Sequence, residues 1–293
     1  MPAAGDISVV IPYYNREQYI DETIQSVLSQ TLKPLEILIV NDCSRETSRR
    51  YLDRYAATCN IIDLPTNVGL AAARNEGVRR ARGKFVAFLD DDDLWLPQKL
   101  EIQRRYLDEH PECAAVHTAA WAFFSDKPDA LWGRNWSGPI TLAEALTNDH
   151  WVMIPTMLIR THMMRAIGGF DRRFRECEDR DFIIRCCAAG YKIEGIAKPL
   201  ARIRREGHPS LTKRNWRMYW MDVKMCWKHR SFYYRAYGIR GFVSFLLEKL
   251  HIASYNTRYI DGRVRFLLRV IKVKYQTRPG YRDPVSAGLV SGK

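Results

Sequence analysis

The sequence predicts an α/β fold built on a mostly parallel sheet flanked by helices, and three observations carry that prediction. Short apolar runs recur at Ile7 to Ile11, Leu35 to Val40 and Phe85 to Leu89, the pattern of strands buried on both faces. Segments with helical spacing of apolar residues lie between them, an alternation that parallel sheets need for their crossovers. Each run also stops at polar residues: Tyr13-Tyr14-Asn15, Asn41-Asp42, and Asp90 to Asp93. In parallel α/β sheets ligands gather beyond the carboxyl ends of the strands, so these three stretches should meet in one crevice.

The elements follow in order. Pro12 closes the first strand, and a helix over about 17–30 carries Ile20, Ile24, Val27 and Leu28 on one face. After the second strand comes a helix over about 47–57, then a short strand at 60–64. Asn67-Val68-Gly69 turns into a helix over 70–81, and Gly83 restarts the chain as the strand before the four aspartates. Pro97 suits the first turn of a helix reaching to about residue 109. A strand near 113–118 continues the sheet, and residues 124–140, rich in Asp, Pro, Gly and Trp, read as a loop. Thr141 and Glu144 have the spacing of a capping box. Residues 156–160 read as a strand, 166–171 as a turn, 178–189 as a helix that Gly190 ends, and 192–204 as a strand. From Lys213 the spacing changes. Trp216, Trp220, Val223 and Trp227, then Ile239, Val243, Leu246 and Leu250, then Val264, Leu267, Leu268 and Ile271 mark three basic amphipathic helices. The domains expected are 1–212 (divided at about 120), a basic helical extension at 213–280, and a disordered tail at 281–293.

With 293 residues, 46% hydrophobic and 27% charged, the chain can bury a sizeable core in one large or two smaller domains. Seven cysteines without a Cys-x-x-Cys pair read as reduced thiols of a cytoplasmic protein. No basic-then-apolar leader opens the chain, and no apolar run nears the ~18 residues of a membrane span, so secretion and spanning are not expected. The net charge of +13 is uneven: Lys198 to Arg278 holds 20 Lys and Arg against four acidic residues, leaving the remainder near −3. These helices suit either contact with an anionic membrane surface or packing with a solvated basic face. Their interleaved aromatics also raise nucleic-acid binding, but no recognised motif supports it.

Four carboxylates after a buried strand repel one another unless a cation or ligand sits among them. Hard oxygen donors of this kind suit Mg²⁺ or Mn²⁺ holding phosphates; the other reading is a solvated acidic turn. Asp42 could accept from an imide N–H of a base or cap its own turn. Arg74 could pair with a pyrophosphate or lie on the surface. At the start of the 178–189 helix, Glu178, Asp179 and Asp181 could cap, or one could act as a general base. His208 could be a metal ligand, a phosphate donor or structural. Trp95, Trp132, Trp136 and Trp151 could stack on sugar or base, or pack.

Taken together, VVIPYYN (9–15), VNDCS (40–44), NVGLAAARNEG (67–77), GKFVAFLDDDDLWLPQKL (83–100), GGFD (168–171) and EDRDFIIR (178–185) resemble the inverting family 2 glycosyltransferases of GT-A fold. They stand in that family's order across about residues 6–210. The resemblance implies a GT-A, Rossmann-like sheet and a crevice for a UDP- or GDP-sugar lined by Pro12, Tyr14, Asp42, Arg74, Asp90 and Asp91. It makes Asp92 the metal ligand, with His208, for Mn²⁺ or Mg²⁺, and Asp179 the catalytic base. Where some members carry two aspartates and a glycine, this chain has Asn41-Asp42-Cys43. It also lacks the Gln-x-x-Arg-Trp of processive synthases, which implies transfer of a single sugar to a glycan or lipid-linked acceptor, as in cell-surface polysaccharide or glycolipid synthesis. A nucleotidyltransferase is the rival enzyme, but no glycine-rich phosphate loop follows the first strand.

Overall fold

In a computed structural model the described residues are 5–134, 138–147, 152–205 and 216–255. The chain forms two compact units, Met1–Gly207 and His208–Lys293. The first unit opens with β1 (Ile7–Tyr13), α1 (Ile20–Leu28), β2 (Glu36–Asn41), α2 (Glu46–Tyr51), β3 (Asn60–Asp63), α3 (Leu70–Arg80) and β4 (Phe85–Phe88). It continues with β5 (Leu94–Trp95), α4 (Lys99–Glu109), β6 (Cys113–Phe124), β7 (Lys127–Arg134), α5 (Leu142–Thr147), β8 (Met157–Arg160), α6 (Thr161–Ala166), α7 (Glu178–Ala188) and β9 (Lys192–Arg204).

One nine-stranded sheet runs in the order β3-β2-β1-β4-β8-β6-β9-β5, with β7 beside β6. The pairs β1–β2, β1–β4 and β2–β3 are parallel. Every residue of β1, β2 and β4 is buried, which explains why these strands read as apolar runs rather than alternating ones. Past β4 the sheet turns mixed: β8 is antiparallel to β4 and β6, while β9 runs parallel to β6. The α/β class and the parallel core therefore stand as expected.

Helix α3 packs closely on β1. A Cβ at Gly77 would overlap the Val10 side chain, so only glycine permits this approach of helix to strand. The capping box forms: Thr141 N–H donates to Glu144 Oε2 at 2.8 Å, and Glu144 N–H donates to Thr141 Oγ1 at 3.3 Å.

Two expectations are corrected. Residues 127–134 are not loop but the strand β7, an irregular antiparallel partner of β6 with shifted register. Its Pro128, Asp129 and Gly133 are poor strand formers, and pairing with the longer β6 overrides them. The helix also does not begin at Pro97. Leu94 and Trp95 first pair with Arg202 and Ala201 of β9, and α4 starts at Lys99. Trp95 gives its Nε1–H to Pro155 O at 2.8 Å and is buried, so it packs rather than stacks on a ligand.

In the second unit, α8 (Trp216–Lys228) leads to α9 (Arg230–Tyr255), which is interrupted at Gly238 with φ +67°. Met225, Cys226, His229, Tyr233 and Phe242 are buried, whereas Trp220 and Trp227 are 53% and 59% exposed. Trp220 and Trp227 thus lie on an exposed face of α8. No helix among the described residues is long and apolar enough to cross a membrane. The helix expected at 264–271 and the disordered tail expected at 281–293 lie outside the described residues.

Candidate functional site

The parallel register brings the ends of β1, β2 and β4 together. Tyr13 stands opposite Asn41, and Val10 opposite Phe88. The loops that follow are braced to one another. Asn15 N–H donates to Ser44 Oγ at 3.1 Å, Arg45 N–H to Asn15 Oδ1 at 2.9 Å, and Ser44 N–H to Asn41 Oδ1 at 3.1 Å. Asn15 and Cys43 both adopt left-handed backbone, with φ +52° and +57°. Position 43 is thus a place where glycine would fit without strain and where this chain carries an exposed cysteine.

Asp42 is buried, and its two carboxylate oxygens accept the N–H groups of Val68 (2.7 Å) and Gly69 (2.8 Å) at the entrance to α3. It caps that turn. Each oxygen keeps a second lone pair for a further donor. Tyr14 is 49% exposed at the mouth, and its backbone N–H donates to Asp91 Oδ2 at 3.0 Å. This bond ties the acidic turn to the end of β1.

Within that turn the four aspartates differ. Asp90 Oδ1 accepts from Arg74 Nη2 at 2.5 Å. Burial, together with the charge of Asp92, holds the Asp91 carboxyl well above the usual carboxylate range. Asp92 is 2% exposed and has Arg16 Nη1 at 3.8 Å. Asp93, raised by its own burial and by the charges of Asp92 and Asp90, accepts Arg204 N–H at 2.8 Å. Buried carboxylates packed this closely disfavour full ionisation.

Arg74 is 2% exposed, so it is not a surface residue. Its other terminal nitrogen, Nη1, donates to Glu178 Oε1 at 2.7 Å. The guanidinium, for which a pyrophosphate is one expected partner, bonds two carboxylates here. Glu178 opens α7 directly before Asp179, and the preceding Cys177 sits in left-handed backbone at φ +64°. Burial pushes the Glu178 carboxyl up to about 7 against the opposing pull of Arg74. Burial also raises the Asp179 carboxyl, although Asp179 Oδ1 accepts Arg180 N–H at 2.7 Å. Asp179 is thus a carboxylate in a poorly solvated place at the N-terminal end of a helix, biased toward holding a proton.

Two residues of this site do not stand out in the sequence. Glu178 is one carboxylate among three, and its bond to Arg74 spans 104 positions. Arg204 ends β9 and is 2% exposed. Its Nε–H donates to Asp92 O at 2.8 Å, its Nη2 pairs with Glu22 at 2.5 Å, and its Nη1 bonds Ser125 Oγ. In the sequence it is one of several charged residues of β9, with Lys192, Glu194, Lys198 and Arg202, and no local signal singles it out. His208, Trp136 and Trp151 lie outside the described residues.

The donors of the acidic turn are carboxylate oxygens, the chemistry of a hard divalent cation. Among the described residues no three His, Cys, Asp or Glu side chains stand together as a complete ligand set. Asp92 has Arg16 as a cation at 3.8 Å, and a single carboxylate of this kind is the sort of ligand that holds Mg²⁺ together with phosphate oxygens and water.

Comparison with known proteins places this geometry. The sequence model of the family described as Glycosyl transferase family 2 matches residues 8–190. An uncharacterised glycosyltransferase of Methanocaldococcus jannaschii is 28% identical over 243 residues, 77% of this chain and 80% of that protein. A protein named as a putative teichuronic acid biosynthesis glycosyltransferase, TuaG of Bacillus subtilis, is 41% identical over 115 residues, 38% of this chain and 45% of its own length. Among solved structures, S. aureus TarS 1-349 in complex with UDP-GlcNAc superposes with TM-score 0.63 at 18% identity, covering 94% of this chain and 93% of that one. Mannosyltransferase PcManGT from Pyrobaculum calidifontis, in complex with GDP-Man and Mn²⁺, superposes with TM-score 0.61 at 16% identity, covering 96% of this chain and 83% of that one. The architecture is therefore the GT-A fold.

Proposed function

Since the chain belongs to glycosyl transferase family 2, we propose that it is an inverting enzyme that moves a single sugar from a nucleoside-diphosphate sugar to an acceptor hydroxyl. One observation supports this most. A buried arginine joins the acidic turn at the end of β4 to the helix that carries Asp179, so a carboxylate suited to proton abstraction stands with the carboxylates suited to a nucleotide.

In this reading Pro12, Tyr14, Asp42, Asp90 and Asp91 form the donor wall, with the base near Asp42 and the ribose and diphosphate near the acidic turn. Asp179 takes the proton of the acceptor hydroxyl. That oxygen attacks the anomeric carbon from the face opposite the leaving group, and the carbon–oxygen bond to the diphosphate breaks with its electron pair. The products are the glycoside with inverted configuration and the nucleoside diphosphate. A Mn²⁺ or Mg²⁺ ion, when bound, would be held by Asp92 and would offset charge on the departing diphosphate. TarS in complex with UDP-GlcNAc and PcManGT in complex with GDP-Man make those two nucleotide sugars the first donors to test. The name of TuaG points the proposed process toward cell-surface polysaccharide. Residues 1–120 would hold the donor and 121–212 the acceptor, and the enzyme would work in the cytoplasm, where nucleotide sugars are made.

Calorimetry with UDP-GlcNAc and GDP-mannose, each with Mn²⁺, tests the proposal, combined with analysis of what is released. Binding of one donor and release of UDP or GDP are expected. Release of pyrophosphate would point to the nucleotidyltransferase instead.

The second unit would supply membrane contact. Trp220 and Trp227 project beside exposed Lys224 and Arg230, a mixture suited to an anionic interface. The protein is expected to float with anionic vesicles at low salt and to lose that binding when both tryptophans are replaced by serine. A protein that stays in the soluble fraction would reject this part.

A further inference from the structure

Two successive residues in the middle of α3 reach across the site to the segment that presents α7. Arg74 holds Asp90 Oδ1 with Nη2 at 2.5 Å and Glu178 Oε1 with Nη1 at 2.7 Å. Asn75 Nδ2 donates to Phe170 O at 2.8 Å, and Asn75 Oδ1 accepts Phe170 N–H at 2.8 Å. A Cβ at Gly169, which has φ +67°, would run into Asn75 Oδ1. The Phe170 ring lies 5.5 Å from the Arg74 guanidinium carbon and packs edge-on against Phe88 of β4. Helix α7 is braced elsewhere too. Arg185 donates to Ile167 O at 2.7 Å and Gly169 O at 2.6 Å, and Arg180 donates to Leu146 O at 2.7 Å.

Arg74 therefore sits beneath the site, with each terminal nitrogen committed to a different wall. Of its five N–H donors, the buried one on Nε has no hydrogen-bond partner, as expected when the two carboxylates, rather than full satisfaction of the group, decide where the side chain lies. Swinging the guanidinium off Glu178 would leave that buried carboxylate without its cation, which is costly.

We propose that Arg74 is a positioning residue for the transfer step, holding the base-bearing end of α7 at a set place relative to the donor-holding turn without touching the nucleotide. This rests on the glycosyltransferase reading in which Asp179 is the base. Lysine keeps the charge at position 74 but cannot present two nitrogens in a fixed fork.

The test uses the full chain as Arg74→Lys, Glu178→Gln and the double variant. Donor affinity is measured by calorimetry with UDP-GlcNAc and GDP-mannose in Mn²⁺, and kcat and KM by release of nucleoside diphosphate. Arg74→Lys is expected to bind donor as the wild type does while kcat falls on the order of a hundredfold, the effect of a misplaced reacting group. Glu178→Gln keeps an oxygen for Arg74 and should lose less. The double variant should be no worse than Arg74→Lys, because both changes break one connection. A raised donor Kd or KM with unchanged kcat would make Arg74 a nucleotide contact and overturn the proposal. Wild-type kcat in Glu178→Gln would also overturn it, even if Arg74→Lys fails to fold. A wild-type protein that binds neither donor and releases no nucleoside diphosphate would instead remove the underlying reading.

Discussion

Asp179→Asn should lose transfer almost completely while still binding the donor. General bases contribute about 10²- to 10⁴-fold to proton-transfer steps, and asparagine cannot take the proton. The change is otherwise mild: the amide retains an oxygen that can accept Arg180 N–H, as Asp179 Oδ1 does at 2.7 Å, so α7 should begin as before. In the proposed mechanism the reaction depends on the deprotonated carboxylate, and burial raises the affinity of Asp179 for its proton. The rate should therefore fall as pH drops through a value above the ordinary aspartate range of about 4. Nucleoside diphosphate release across pH, with donor calorimetry alongside, checks both statements. Turnover by Asp179→Asn at the wild-type rate would take this residue out of the chemistry.

The second large effect is expected at Asp92. Asp92→Ala should cut donor affinity in Mn²⁺ on the order of a hundredfold, about 3 kcal/mol, down to the level the wild type shows in EDTA. Chelator should then change the variant little. Arg16 Nη1, now 3.8 Å from the carboxylate, would lose that partner and could itself draw a phosphate, which would soften the loss. Arg204 holds the backbone carbonyl of Asp92 rather than its side chain, so the turn should keep its path. Calorimetry with and without the ion separates these contributions. Equal affinities under all four conditions would reject Asp92 as the ion's ligand.

What the sequence made legible was local or periodic. Strands β1, β2 and β4 announced themselves because burial on both faces demands apolar runs, and the acidic turn stood out because it interrupts one. The parallel arrangement of strand ends then implied that Asp42 and the aspartates share a crevice. What stayed hidden was long-range pairing. Nothing near Arg74 reveals that Glu178 will claim one of its nitrogens, and nothing near Asp42 reveals that the N–H groups of Val68 and Gly69 will take both of its oxygens. Strand β7 was obscured by its own turn-forming residues, since a paired neighbour, not intrinsic preference, decides whether such a segment extends. Strand β5 is only two residues long, too short to show any period.

Arg204 carries a consequence for the order in which the protein can come into being. The acidic turn is made by residues 90–93, yet the arginine that grips Asp92 O and Asp93 Oδ1 is the last residue of β9, the last strand among the described residues. A chain emerging from the ribosome can pair β1 with β2 and β4 early, because all three lie in its first 90 residues. Its acidic turn must then wait, with like charges crowded and their final brace unmade, until more than a hundred further residues have been added. Synthesis of the first unit is thus a process in which the earliest part of the site is the last to be locked.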